Sequence, residues 1–334
     1  MTAVLVLGLM TATCVQAAAV LAVARWPRRA PAAAIVLWQA LGLGWGLAAV
    51  GTLIGLGTAG QDPLGQGSAG PGPGAPGSGA LGSGVAGSGV AGGALSEVGR
   101  LARGQLGLGP MALARLACLV AGLVLVTLLV WVLLSASAAV LRARQRQRAL
   151  LSLLAHGDPK VPGALVIDYP AAAAYCLPGL RSAIVISAGT LDLLDSAELA
   201  AVLAHERAHL RERHDLVLLP FVALLNGFAW SPVVRKAHQA VALLIEMHAD
   251  DMARRHRPAR ELATALLRVG AAGGGLAPSG ALAAAGSAPD CDVAARVTRL
   301  LRPSPGLPAA ALALVAMAAT LAIVVPAAVL VMPF

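Results

Sequence analysis

Four uncharged apolar segments, over residues 3–24, 32–57, 116–139 and 307–331, constrain this chain more than any other feature. Each reaches the ~20 residues that a helix needs to cross ~30 Å of hydrocarbon. None contains an acidic or basic side chain of the kind that marks an ion or substrate path, which argues against a transporter or scaffold built on these spans. The rest of the composition agrees: only 12% of residues are charged and 58% are hydrophobic, with mean hydropathy +0.78. A soluble domain carries about 25% charged residues, so much of this chain belongs in lipid.

The first segment has small residues near its end but is not read as a cleaved signal. Met1 to Ala24 carries no basic residue, and Arg25, Arg28 and Arg29 follow it, the reverse of a signal peptide's charge order. Arg142, Arg144, Arg146 and Arg148 follow the third span, and Arg296, Arg299 and Arg302 precede the fourth. If the spans alternate, all three clusters fall on one side, which identifies that side as cytoplasmic and leaves both termini extracellular. Membrane edges therefore account for the net charge of +9 and the pI near 10.6, and nucleic acid is not an expected partner. Cys14 and Cys118 sit within spans, and Cys176 and Cys291 are single thiols without C-x-x-C spacing; none reads as catalytic.

The chain divides into two spans over 1–57, a Gly/Ser-rich extracellular loop over 58–110, a third span over 111–141, a cytoplasmic domain over 142–302 and a fourth span over 303–334. The loop holds the near-repeat Gly77-Ser-Gly-Ala-Leu, Gly82-Ser-Gly-Val-Ala, Gly87-Ser-Gly-Val-Ala, which has too little apolar content for a core. It also contains G-x-G-x-x-G, but without a preceding strand or a following helix that pattern is no dinucleotide site.

Chemistry concentrates in Asp195-Ser-Ala-Glu-Leu-Ala-Ala-Val-Leu-Ala-His-Glu-Arg-Ala-His209. Asp195 and Glu198 read as a capping box opening a helix that continues through both histidines. Four residues turn a helix through about 400° and raise it about 6 Å, so His205 and His209 share a face and can reach one metal ion. Glu206 lies on the same side, placed to take a proton from water. H-E-x-x-H of this kind is the zinc-hydrolase arrangement, although a solvated polar helix face has the same residue types. The second stretch, Glu246-Met-His-Ala-Asp250, begins 37 residues past His209 and tips the balance. A catalytic zinc site takes three protein ligands, and Glu246 can be the third. Asp250, four residues on, shares its face and is read as the carboxylate that orients a ligating histidine; His248 should point elsewhere.

Around these motifs, Leu165–Tyr169 and Ser182–Ser187 read as strands joined by a turn at Cys176-Leu-Pro-Gly179. Residues 183–187 are the candidate for an exposed edge that pairs with an extended substrate, with a buried structural strand as the equal alternative. His214 reads as a helix-end residue, and Asp215 as a cap or a partner of the site. The 13 apolar residues Leu216 to Phe228 are too short to span and should pack on other helices. Trp230-Ser-Pro232 turns the chain, residues 270–289 form a second loop, and a short helix over 290–301 carries Arg296, Arg299 and Arg302 toward the membrane.

Taken together, four spans with a domain between the third and fourth, His205-Glu-x-x-His209 and Glu246-x-x-Ala-Asp250 resemble the integral-membrane gluzincin peptidases of the BlaR/MecR antirepressor type. Ala174-Tyr-Cys-Leu-Pro-Gly179, Leu199-x-x-Val-Leu-x-His205 and Arg296-Val-x-Arg-Leu-Leu301 are similar to that family's flanking pattern. The resemblance implies a mainly α membrane protein, with four transmembrane helices and a cytoplasmic α+β zincin (gluzincin) metallopeptidase domain inserted between the third and fourth. It implies one Zn2+ per chain on His205, His209 and Glu246, with Glu206 as general base and acid and Asp250 behind the ligands. The activity is that of a zinc endopeptidase in the cell membrane acting on a protein or peptide. The best-known members carry an extracellular antibiotic sensor after the last span, whereas this sequence stops at Phe334. Signal input, such as that leading to loss of a transcriptional repressor, therefore needs a separate sensor protein or the loop 58–110. The same motifs are similar to the HtpX and CAAX-prenyl-protease types, in which a histidine five residues past the motif, as His214 is here, is common. Those types imply quality-control proteolysis as the alternative role, and a zinc-binding signal relay with little peptidase activity is the third.

Overall fold

The computed structural model describes residues 2–58, 110–158, 161–179, 182–272, 289–302 and 305–331, the side chains of 289–292 excepted. Helix α1 (Thr2–Val23) leads through a 3-10 turn (Trp26–Arg29) into α2 (Pro31–Thr58), and α3 (Pro110–Leu154) follows. Then come β1 (Ala155–Gly157), β2 (Ala164–Ile167), β3 (Ala174–Leu177) and β4 (Ala183–Ser187). Helices α4 (Ala188–Leu193), α5 (Ser196–Arg211), α6 (His214–Gly227), α7 (Pro232–Ala253), α8 (Ala259–Ala271) and α9 (Pro289–Leu301) lead to α10 (Ala309–Val331). The loop expected over 58–110 and most of the one expected over 270–289 lie outside the described residues, as does the Cys291 side chain.

Among the described residues, α1, α2, α3 and α10 are the helices long and apolar enough to cross a membrane. At 45 residues α3 is about 68 Å long, more than twice the hydrocarbon thickness, so the apolar segment and the arginine-rich extension through Arg148 form one continuous helix.

The chain forms two compact units. The first takes the described residues of Met1–Gln16, Ala40–Thr127 and Ala319–Phe334. Glycines of α2 set its spacing: a Cβ at Gly44 would overlap the Ala322 carbonyl of α10, and one at Gly51 would lie 2.9 Å from Leu330. Helices in lipid gain their packing energy from such close approach rather than from excluded water. Leu5, Leu9, Leu123, Val124 and Leu321 are exposed on the outer faces, a distribution suited to lipid.

The second unit, Ala17–Gln39 with Leu128–Ala318, holds the sheet. Strand order is β1-β2-β4-β3, with β2 and β4 parallel and the outer pairs antiparallel. Val166, Ala174, Cys176, Ile184 and Ile186 face Val202 and Leu203 of α5 and Ala265 and Val269 of α8 in one buried cluster. The apolar α6 packs on α3 through Val222 and Ala223 against Val132, Ala136 and Val140, as the short apolar stretch predicts.

The sheet decides one alternative, in favour of the buried structural strand, and corrects one expectation. Ala183–Ser187 is hydrogen-bonded on both sides, so it is an interior strand and has no edge to offer a substrate. The turn expected at 176–179 is confined to its last two residues, because Cys176 and Leu177 belong to β3, whose alternating Ala174 and Cys176 both point into the core. Among the described residues, the free edge next to α5 is that of β3.

Candidate metal centre

Helix α5 begins where the sequence indicates. Asp195 Oδ1 accepts from the backbone N–H groups of Ala197 and Glu198 at 2.9 Å, and Glu198 Oε2 accepts from Asp195 N–H at 3.1 Å. Arg268 Nη1 donates to the same Glu198 oxygen at 2.7 Å, tying α8 to the start of α5. Three turns on, His205 and His209 present their Nε2 atoms to each other at 3.1 Å. Helix α7, capped by Ser231 and opened by Pro232, carries Glu246 to the same point. Glu246 Oε2 lies 3.3 Å from His205 Nε2, and its Oε1 lies 3.5 Å from His209 Nε2.

These separations fit a metal ion. Tetrahedral ligands at the ~2.0–2.1 Å bond lengths of zinc stand about 3.3 Å apart along each edge; the two imidazole nitrogens are 3.1 Å apart, and the two Glu246 oxygens lie 3.3 Å from one of them and 3.5 Å from the other. Two imidazoles and a carboxylate also make a donor set that zinc accepts, with a fourth position left over. Among the described residues, this trio is the group of histidine, cysteine or acidic side chains that could hold an ion.

The trio is fixed from behind. Asp250, 1% exposed, places Oδ1 3.0 Å from His205 Nδ1 and accepts from Arg296 Nε at 2.9 Å and Nη2 at 2.7 Å. Arg296 Nη1 reaches Glu246 Oε2 at 2.9 Å, so one buried guanidinium bridges the Glu246 and Asp250 carboxylates of α7. Burial opposes ionisation of Asp250, but the Arg296 charge outweighs it and holds the carboxyl down at about 2. Glu246 is likewise held well below the usual carboxylate range, burial again losing to Arg296. Burial pulls His205 down, while hydrogen bonds to Asp250 and Glu246 pull harder and raise it to about 9.

Glu206 is buried beside the trio, and burial raises its carboxyl above the ordinary range against the opposing pull of His209 and His205. Burial and the nearby Glu206 charge push the Cys176 thiol of β3 up, so that sulfur stays neutral beside the carboxyl. A glutamate raised above its ordinary range holds a proton more readily than a free carboxylate, the direction that suits a group passing a proton on. His214 lies with Nδ1 3.0 Å from His209 Nδ1, and burial helped by His209 depresses it to about 3. The neutral ring turns Nδ1 toward His209, and its buried Nε2 has no hydrogen-bond partner among the described residues.

His205, Glu206, His209, Glu246 and Asp250 are therefore brought together, and three further residues join them. Arg296, expected to run toward the membrane, instead turns into the site. It shares a helix face with Val293 and Leu300, both on the core side, and an arginine in such a stripe is the signal that could have found it. His214 reaches His209 because Arg213 adopts a left-handed conformation (φ 50°) that ends α5 and restarts the chain as α6. An uninterrupted helix would have pointed it away. Cys176 is recruited by the strand that sequence reading assigned to a turn. His248 keeps away from the three ligand atoms, as expected, with its ring centroid 5.5 Å from that of His214. Asp215 does not touch the trio: it accepts from Arg144 of α3 at 2.8 Å.

A helix-borne H-E-x-x-H completed by a glutamate from a second helix, beside a buried proton-exchanging carboxylate, defines a site of the metallopeptidase class. Comparison with protein families agrees: the model of Peptidase family M48 matches residues 140–261, a stretch that contains the trio, Glu206 and Asp250 and stops short of Arg296. The match supports a metallopeptidase hydrolase and does not separate the BlaR/MecR from the HtpX relationship. No curated protein and no solved structure matches the chain.

Proposed function

We propose that this protein is a membrane-anchored, zinc-dependent endopeptidase that holds one ion per chain and cuts a protein substrate at the cytoplasmic face of the cell membrane. The observation that carries the reading is the convergence of His205 Nε2, His209 Nε2 and a Glu246 carboxylate oxygen within 4.8 Å, with Glu206 buried beside them. Zinc held there supplies Lewis-acid polarisation of the scissile carbonyl and acidifies water. The protein's own residues do the rest. Glu206 accepts the proton of the attacking water and hands it to the leaving amine, a double duty matched to its raised affinity for protons. Asp250 and His214 hold the rings of His205 and His209 in register, and Arg296 keeps the Glu246 and Asp250 carboxylates ionised. The free edge of β3 is the surface on which an extended substrate adds as a further strand, with Cys176 marking where that strand meets Glu206.

For the biological role we favour regulatory proteolysis of a repressor. The His209–His214 contact favours a second reading, quality-control proteolysis of the HtpX type, because that histidine spacing is shared with it. The test is Glu206→Gln in the full chain in detergent. It should retain zinc and lose chelator-sensitive cleavage of a denatured protein. Full activity of that variant refutes the assigned role, and a wild type that holds zinc but never cleaves leaves only the relay.

A further inference from the structure

The 3-10 turn Trp26–Arg29 lies against α9, where Arg299 Nε donates to the Arg28 carbonyl at 2.7 Å. Beside this contact opens a cavity of about 440 Å3, lined by Arg25, Arg28 and Arg29 from the turn, Arg299 and Arg302 from the end of α9, and Met247 of α7. That volume is within the usual range for small-molecule sites. Its charge is unbalanced. Arg299 is neutralised by Asp251, with contacts of 2.7 and 2.6 Å. Arg25, Arg28, Arg29 and Arg302 pair with no carboxylate among the described residues, and the three arginines of the turn are exposed. Several guanidinium groups around one concavity repel one another until an anion enters, and their planar forks match phosphate oxygens in pairs.

Position selects the kind of phosphate. The turn joins two helices of membrane-crossing length, and the last turns of α1 expose Val20 and Val23 directly ahead of Arg25. A charged cavity adjoining an exposed apolar helix end suits an amphiphile, whose head enters the cavity while its chains follow the helix. We propose that this cavity binds the phosphate group of an anionic membrane lipid, such as a phosphatidylglycerol. The occupant would touch α7 at Met247, next to Glu246, and α9 on the side away from Arg296, so it could brace the two helices that frame the metal centre. The assignment stands independently of the peptidase reading, because binding is measured without catalysis.

The test titrates the full chain in neutral detergent with a short-chain, monomeric phosphatidylglycerol and follows the unfolding midpoint. Parallel titrations use the matching phosphatidylcholine and inorganic phosphate. Phosphatidylglycerol should raise the midpoint saturably, and phosphatidylcholine should not. Each basic residue near an anionic lipid surface contributes about fivefold in affinity, so Arg28→Gln/Arg302→Gln should weaken binding about thirtyfold. The charge-matched control Arg255→Gln/Arg257→Gln, outside the cavity, should bind as wild type. If Arg28→Gln/Arg302→Gln unfolds, Arg25→Gln/Arg29→Gln serves in its place. Equal responses to the two lipids, or wild-type affinity in the cavity variant, overturn the proposal. Saturation by inorganic phosphate at lower concentration than the lipid overturns the lipid source.

Discussion

Removing Asp250 should separate two things that the structure couples: the stability of the domain and its hold on metal. Asp250→Ala takes away both oxygens that receive Arg296, at 2.9 and 2.7 Å, and the oxygen 3.0 Å from His205 Nδ1. Arg296 is then left buried with Glu246 as its remaining carboxylate. Removing one partner of a buried ion pair costs about 3–5 kcal/mol, and the surviving contact with Glu246 puts this variant at the lower end. Loss of the group that orients a ligating histidine typically lowers metal affinity about 10–100-fold. Stability is measured on chelator-treated protein, so that bound metal does not mask the loss, and affinity by competition with a zinc chelator. Adding Arg296→Met should recover part of the stability by removing a buried charge that has lost one of its two carboxylates. Metal affinity should stay low, since His205 Nδ1 still lacks its acceptor. The reasoning is refuted if Asp250→Ala binds zinc as wild type does, or if Arg296→Met fails to relieve the instability.

Other outcomes follow from single contacts. His238 is buried and burial depresses it below 6.5, so the fold keeps it neutral while the unfolded chain takes up a proton; stability must fall as pH drops through 6.5. His238→Phe should flatten that decline in urea melts taken between about pH 7 and about pH 5, and an unchanged slope contradicts the assignment. Arg144→Met strips the partner from Asp215, whose side chain is only 4% exposed, and should destabilise the protein by about 3 kcal/mol, with Asp215→Leu in the same chain restoring much of it. Asp195→Ala removes both N-cap bonds of α5 and should lower stability by about 1 kcal/mol without displacing the histidine pair, which zinc titration would verify.

How much of this could be read in advance depended on the range of the interactions. The capping box at Asp195, the shared face of His205 and His209, and the shared face of Glu246 and Asp250 are set by helical periodicity, so residue spacing reveals them. The four apolar helices were equally plain, because length and missing charge alone define them. What stayed hidden was decided by tertiary partners or by one backbone angle. Arg296 joins Asp250 across 46 residues of sequence, and Arg299, one turn on in the same helix, pairs with Asp251 instead, so arginine content alone does not single it out. His214 depends on the left-handed Arg213, a non-glycine residue with no local signal for that conformation. The strand at 174–177 is four residues long beside a Pro-Gly pair, and the β-branched run at 183–187 looks the same whether it lies at an edge or inside a sheet. Strand order follows from which surfaces the helices cover, which short-range pattern does not encode.

The central claim is that two imidazoles of α5 and one carboxylate of α7 hold a single ion. Elemental analysis of the purified full chain tests it most directly, with variants measured alongside. The account predicts one zinc per wild-type chain, one retained in Glu206→Gln, and its loss in His205→Ala, His209→Ala and Glu246→Ala. A Glu246→Ala chain with its full zinc content, or a wild type that cleaves protein with no metal bound, would contradict it.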